Sequence, residues 1–279
     1  MTTCLFVSDL HGREARWKAL FQAIGDERPE AVFLGGDLLP HSAGEAWLET
    51  GLFDPLRGLR NALGPSYPEI FTILGNDDAR AVEPALEAAD SAGLLSYIHG
   101  RVVEWNGWTV VGYAFVPPTP FGLKDWERYD VSRSTDPGCV SPEEGVRTAP
   151  FDAEDVRYGT IARDLEALAD GVAMDRSVWL FHTPPYRTDL DRAALDGRMV
   201  DHVPMDVHVG SIAVQRFIED RQPRLTLHGH VHESARLTGS WRQRIGTTWC
   251  LGAAHDGAAL ALVSFDLNGL PSANRRLLL

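Results

Sequence analysis

At 279 residues the chain is long enough to bury a sizeable core, and 44% hydrophobic with 23% charged residues is ordinary globular usage that argues against a disordered chain or a coiled coil. Twenty-six basic against 39 acidic residues give a formal charge of −13, which disfavours a broad footprint on duplex nucleic acid or on an anionic membrane. A small phosphorylated substrate is compatible with that sign, because metal ions reverse the field inside a pocket.

In chain order, residues 4–74 alternate short apolar runs with amphipathic segments: strand at 4–7, helix at 17–24, strand at 31–34, helix at 47–63, strand at 70–74. The three strands end in polar clusters containing Asp9 and His11, Gly36 and Asp37, and Gly75, Asn76, Asp77 and Asp78. Ligands bind beyond the carboxyl ends of strands in open α/β sheets, so these tips are expected to converge. Residues 79–92 predict a helix, and 102–105 with 109–115 a hairpin turning at Asn106 and Gly107.

Residues 117–150 are rich in Pro, Gly, Ser and Asp and are expected to form a lid or cap. A helix at 155–168 and a strand at 177–181 ending in His182 follow, then an irregular stretch, 183–210, a second candidate substrate loop. A helix is expected over 211–220, with Gly210 or Ser211 near its N-cap. A strand at 225–227 ends in Gly229, His230 and His232, and strands at 247–251 and 258–265 close the chain. No linker forces a boundary, so residues 1–279 are read as a single α/β domain.

Cys4, Cys139 and Cys250 are far apart and lack a CxxC pattern, which disfavours a disulfide framework or thiolate zinc site. The opening residues carry no basic region followed by a long apolar run, and no apolar run approaches the roughly 18 residues of a membrane span. The expectation is a cytoplasmic chain without a membrane partner; oligomeric state is not readable.

The chemistry lies in the strand tips. Asp9 with His11 pairs a hard oxygen with an imidazole, a combination suited to Mn, Fe, Zn or Ni. Asp37 follows two glycines, where a backbone could approach a cofactor closely. Asn76 offers a neutral amide oxygen, and His182, His230 and His232 add imidazoles. Each taken alone is an ordinary turn or surface residue. Together, two carboxylates, one amide and four imidazoles can hold two divalent ions and leave positions for water and substrate.

In this order the motifs resemble those of the calcineurin-like metallophosphoesterases, DxH, GD, GNH or GND, H and GHxH. The resemblance implies a four-layer αββα sandwich of two mixed β-sheets flanked by helices. It also implies that Asp9, His11 and His232 serve one metal, that Asn76, His182 and His230 serve the other, and that Asp37 bridges them. The implied activity is hydrolysis of a phosphodiester or small phosphomonoester by hydroxide held between two divalent cations. No GxSxG elbow supports serine hydrolysis.

The pattern departs where many members carry His after the motif Asn, a residue assigned with Asn76 to the catalytic group. Asp77 stands there, and a carboxylate beside two dications is a poor general acid. His208, ahead of a helix N-terminus, is the alternative acid. Asp78 is read as orienting a ligand or capping the next helix. Arg13 and Arg80, each just past a tip, are candidate phosphate clamps. Two other readings are a scaffold that binds a protein partner without catalysis, with Asp77 as its best support, and a single-strand nuclease stacking bases on Trp126 and Tyr129.

Overall fold

In the computed structural model, which describes residues 3–41 and 44–279, the apolar runs at 4–7 and 31–34 are buried without alternation, as strands covered on both faces must be. The elements in chain order are β1 (Thr3–Val7), α1 (Glu14–Glu27), β2 (Ala31–Gly35), α2 (Glu45–Trp47), α3 (Asp54–Leu63), β3 (Glu69–Ile73), α4 (Glu83–Ser91) and β4 (Ser96–Tyr97). Then come β5 (Arg101–Trp105), β6 (Trp108–Tyr113), α5 (Ala153–Tyr158), α6 (Ile161–Leu168), β7 (Ser177–Phe181), β8 (Met199–Val200) and β9 (Val203–Pro204). The chain closes with α7 (Ile212–Arg221), β10 (Leu225–His228), α8 (Ser234–Thr238), β11 (Arg242–Ile245), β12 (Thr248–Gly252), β13 (Leu260–Asp266) and β14 (Asn274–Leu278).

Two six-stranded sheets result, ordered β14-β13-β1-β2-β3-β4 and β11-β12-β10-β7-β6-β5. Both are mixed: β1 to β4 are parallel beside antiparallel β13 and β14, and β6, β7, β10 and β12 are parallel between antiparallel β5 and β11. Phe33 and Phe71 stack at 5.2 Å, and Phe71 meets Trp105 of the facing sheet edge-on at 5.7 Å. Helices cover the outer faces; Trp179 of β7, for example, packs on Phe217 of α7 at 4.5 Å. This is the four-layer αββα sandwich that the motifs imply.

Register sets the tips level. Val7 pairs with Leu34 and Leu34 with Thr72, so β1, β2 and β3 finish together. Leu180 pairs with Leu227, which does the same for β7 and β10. Asn106 and Gly107 both take positive φ, 49° and 76°, as a tight hairpin turn requires. Ser211 caps α7, its Oγ accepting the Val214 N–H at 3.0 Å.

Several elements differ from the sequence reading. The helix expected over 47–63 is α2 and α3 joined by a π turn, Leu48–Phe53, and the helix expected over 79–92 is a 3-10 turn, Arg80–Val82, leading into α4. The helix expected over 155–168 breaks in two, because Thr160 takes extended backbone and caps α6 by accepting the Arg163 N–H. Residues 117–150 contain no helix or strand, yet they are packed rather than loose. Lys124 and Glu127 form a fully buried ion pair, and Trp126, fully buried, meets His99 edge-on at 4.8 Å. Residues 183–210 carry the small β8–β9 hairpin. Among the described residues no helix is long and apolar enough to cross a membrane.

Candidate metal centre

Five strand ends, from β1, β2, β3, β7 and β10, bring their polar residues to one edge of the sandwich. The loops there are locked to one another: the Asp9 N–H donates to Gly36 O at 2.9 Å, the His11 N–H to Asp37 O at 2.8 Å, and the Gly229 N–H to His182 O at 2.9 Å. Across the two sheets, the His230 N–H donates to Asp9 Oδ1 at 3.0 Å. The backbone is strained to make this fit. Asp9, His11, Asp37 and His230 have φ of 60°, 47°, 51° and 72°, a left-handed region that costs a non-glycine residue about 1–3 kcal/mol and persists only where surroundings over-determine it.

Gly36, at φ 91°, has no room for a side chain, since a Cβ would lie 2.7 Å from His182 Nδ1 and 2.8 Å from Leu74 O. A Cβ at Gly229 would lie 1.9 Å from Ser8 Oγ. The glycines before Asp37 and His230 therefore let one loop touch another. At Gly36 this corrects the expectation that the missing side chain leaves space for a cofactor.

Among the described residues three groups of donors form, two that share Asp37 and a third made of His11, His41 and Asp77. Asp9, His11, Asp37 and His232 present ligand atoms all within 4.8 Å of one another, and so do Asp37, His182 and His230. Asp37 belongs to both. Its Oδ1 accepts the Asp77 N–H at 2.8 Å, whereas its Oδ2 lies 3.3 Å from His182 Nε2 and 4.0 Å from His11 Nε2. Asn76 Oδ1 is 3.1 Å from His182 Nε2, which brings the amide into the second group. His11 Nε2 and His232 Nε2 lie 3.1 Å apart, and His232 Nε2 lies 3.2 Å from Asp9 Oδ1.

Such crowding of imidazole and carboxylate fits divalent cations. Two lone pairs facing each other repel, and only a proton or a metal between them relieves it. Protons do so in the metal-free protein. Burial alone lowers the His182 pKa, but the Asp37 carboxylate outweighs it and carries the ring up to about 10. Its Nδ1 faces Gly35 O at 2.8 Å, which places the second proton on Nε2, toward Asn76 and Asp37, where a metal ligand would need a lone pair. Burial would raise the Asp9 carboxyl, yet the hydrogen bond and charge of His232, with His182 and His11, hold it well below the usual range. Asp37 is likewise held below normal against burial, by His182. His230 is pushed down to about 3 by burial and then by the His182 charge, which leaves its ring neutral and its nitrogen lone pair available.

The remaining candidates fall around this centre. Asp77 borders the first group, its Oδ2 3.6 Å from His11 Nδ1 and 3.8 Å from His41 Nδ1. His41, given no role by its sequence spacing, has its ring 5.8 Å from that of His11. Asp78 does not cap α4; fully buried, it accepts the N–H groups of Leu38, Leu39 and Gly75 and ties the β2 and β3 tips together. His208 is oriented by buried Asp191, Nδ1 to Oδ1 at 2.8 Å, in the 183–210 segment.

Among the described residues, no hydrogen bond or ion pair joins Arg13 or Arg80 to the seven donors. Arg13 donates to Gly257 O at 3.1 Å, and Arg80 pairs with Glu83 at 2.9 Å and lies over Trp126 at 5.1 Å. His228 is a buried strand residue between Thr183 O and Thr226 Oγ1. Trp126 and Tyr129 are buried, at 0% and 4% exposure, which removes them as base-stacking platforms.

The chain belongs to the calcineurin-like phosphoesterase family, whose sequence model matches residues 2–234. It is thus a metallophosphoesterase, a hydrolase with a cluster of residues able to ligate metal. The fold is shared with solved structures. The protein TT1561 of Thermus thermophilus is 17% identical over 99% of this chain and 98% of its own, with a TM-score of 0.57. A dimetal phosphatase from Danio rerio is 12% identical over 94% of this chain and 91% of its own, with a TM-score of 0.52. No curated protein matches the sequence.

Proposed function

We propose that this chain hydrolyses a small phosphate ester, diester or monoester, with two divalent cations held by its strand tips. Asp9, His11 and His232 would hold one, Asn76, His182 and His230 the other, with Asp37 shared. The observation that carries the reading is the position of Asp37 Oδ2, which faces His11 and His182 from between the two groups while Oδ1 is taken by the Asp77 N–H. The Danio rerio protein of the same fold, described as a dimetal phosphatase, adds support.

Divalent cations there would supply Lewis acidity toward phosphoryl oxygens and lower the pKa of water toward neutrality. The protein's part is placement. Buried Asp9 and Asp37 arrive as carboxylates, so cations meet charge already in place. His182 is aimed by Gly35 O. Strained tips, locked by Asp78 and by the bond from His230 N–H to Asp9, cost no reorganisation when substrate arrives. The seven donors leave no separate role for a protein nucleophile. Proton donation to the leaving group stays with His208 as a proposal, and the −13 charge supports a small substrate over duplex nucleic acid.

The test is hydrolysis of bis-p-nitrophenyl phosphate and p-nitrophenyl phosphate by metal-stripped protein refilled with Mn, Zn, Fe, Ni, Co or Mg. Turnover that requires metal, lost in Asp37→Ala, is the expected result. Two bound equivalents with no turnover on any ester would favour a non-catalytic scaffold.

A further inference from the structure

Asp77 stands beside donors of both groups that share Asp37, and three of its polar atoms each meet a different one. Its backbone N–H donates to Asp37 Oδ1 at 2.8 Å. Its Oδ1 accepts from Asn76 Nδ2 at 3.2 Å. Its Oδ2 lies 3.6 Å from His11 Nδ1, a buried nitrogen with no hydrogen-bond partner. We propose that Asp77 is a positioning residue that fixes one ligand for each cation, His11 for the first and Asn76 for the second.

Only certain atoms of these side chains can ligate. His11 Nε2 is the nitrogen that faces His232 and Asp37. If Nε2 offers its lone pair to a cation, the ring proton must sit on Nδ1, where it becomes a donor in need of an acceptor. Asp77 Oδ2 is placed to be that acceptor; closing the 3.6 Å gap to a hydrogen bond takes a shift of well under 1 Å. The second ligand raises the same question. An amide can turn either its oxygen or its nitrogen toward a metal, and only the oxygen ligates. By taking Asn76 Nδ2, Asp77 keeps Asn76 Oδ1 toward His182 and the second group.

A His at position 77 could not serve both partners in this way, since a neutral imidazole has one acceptor nitrogen. The carboxylate has two oxygens, aimed in two directions. Its partial exposure, 24% of the side chain, also means that its removal opens no cavity in the core. This inference rests on the two-cation reading, and the experiment separates the two.

Metal-stripped wild type, Asp77→Ala, Asp77→Asn and His41→Ala are titrated with Zn against a chromophoric chelator. Bound metal is counted by elemental analysis, and the melting temperature of each metal-free protein is recorded. Loss of an outer-shell partner typically weakens metal binding by about 10–100-fold, so Asp77→Ala is expected to weaken both equivalents by that order while the metal-free melting temperature is unchanged. Asp77→Asn, with one acceptor oxygen in place of two, falls between; His41→Ala matches wild type.

Wild-type affinity for both equivalents in Asp77→Ala overturns the inference alone. So does a third bound equivalent lost in both Asp77→Ala and His41→Ala, because Asp77 would then be a ligand. A wild-type protein that binds fewer than two equivalents overturns the two-cation reading beneath it.

Discussion

Asp9 Oδ1 accepts the backbone N–H of His230 at 3.0 Å, a bond that crosses from the tip of β1 in one sheet to the tip following β10 in the other. The same carboxylate faces His232 Nε2 at 3.2 Å. One side chain thus joins the two halves of the sandwich and supplies a candidate ligand.

These two duties separate by mutation. Asp9→Asn keeps an acceptor for the His230 N–H but loses the charge, so cation affinity is expected to fall with little change in the melting temperature of the metal-free protein. Asp9→Ala loses both, leaving the part-buried His230 N–H without its acceptor, at a cost of about 1 kcal/mol or more. Titration calorimetry and thermal unfolding of the two variants check the split.

Gly229→Ala tests the close approach of the loops. The new Cβ would fall 1.9 Å from Ser8 Oγ and 2.8 Å from Asp9 Oδ2, so the tips must move apart. Overpacking of this kind costs about 1–3 kcal/mol. A lowered denaturation midpoint together with weakened cation binding is expected, because Asp9 is displaced by the same clash.

Cation binding is expected to release protons. With the His182 pKa raised to about 10 by Asp37 against burial, the ring is protonated near neutral pH and must lose the Nε2 proton to ligate. Affinity therefore rises with pH below about 10, up to about tenfold per pH unit for one proton. Calorimetric titration in buffers of different ionisation enthalpy should show net release, and His182→Gln should reduce it.

His99 sets an acid limit on the fold. It is half-buried among Tyr113, Phe115 and Trp126, and its Nδ1 accepts the Ala114 N–H at 3.0 Å. Burial, with the charges of Arg80 and Arg128, pushes its pKa from 6.5 down to about 3. Above pH 6.5 neither folded nor unfolded ring is charged, and nothing is lost. Between pH 6.5 and about 3 the unfolded chain binds a proton that the folded chain does not, so stability falls with falling pH. At pH 5 the loss from this group is on the order of 2 kcal/mol. Denaturant unfolding at pH 7.5 and pH 5 should show a smaller difference in His99→Gln than in the wild type.

Much of the fold is legible in the order of the residues. Unbroken apolar runs such as 31–34 marked strands, and the residues after them supplied the donors now seen to converge. Missed elements had weak local signals. β4 is two residues long, and β11 and β14, edge strands with Arg242, Arg244, Arg275 and Arg276, lack an apolar face. The break at Thr160 depends on capping that hydrophobic spacing does not register. At the site, the composition of the donor set was legible, but the left-handed backbone of Asp9, His11, Asp37 and His230 was not, because it is imposed by contacts distant in sequence. Asp78 and His41 were obscure for the same reason: one is explained by Leu38 and Leu39, the other by Asp77, and neither relation is local.

The central claim is a carboxylate shared by two cations. Electron paramagnetic resonance of protein loaded with Mn(II) tests it directly. Two equivalents per chain with an exchange-coupled spectrum, replaced in Asp37→Ala by isolated Mn(II) signals at reduced occupancy, is the expected result. A single isolated Mn(II) per chain in the wild type, or a coupled pair that survives Asp37→Ala unchanged, would contradict it.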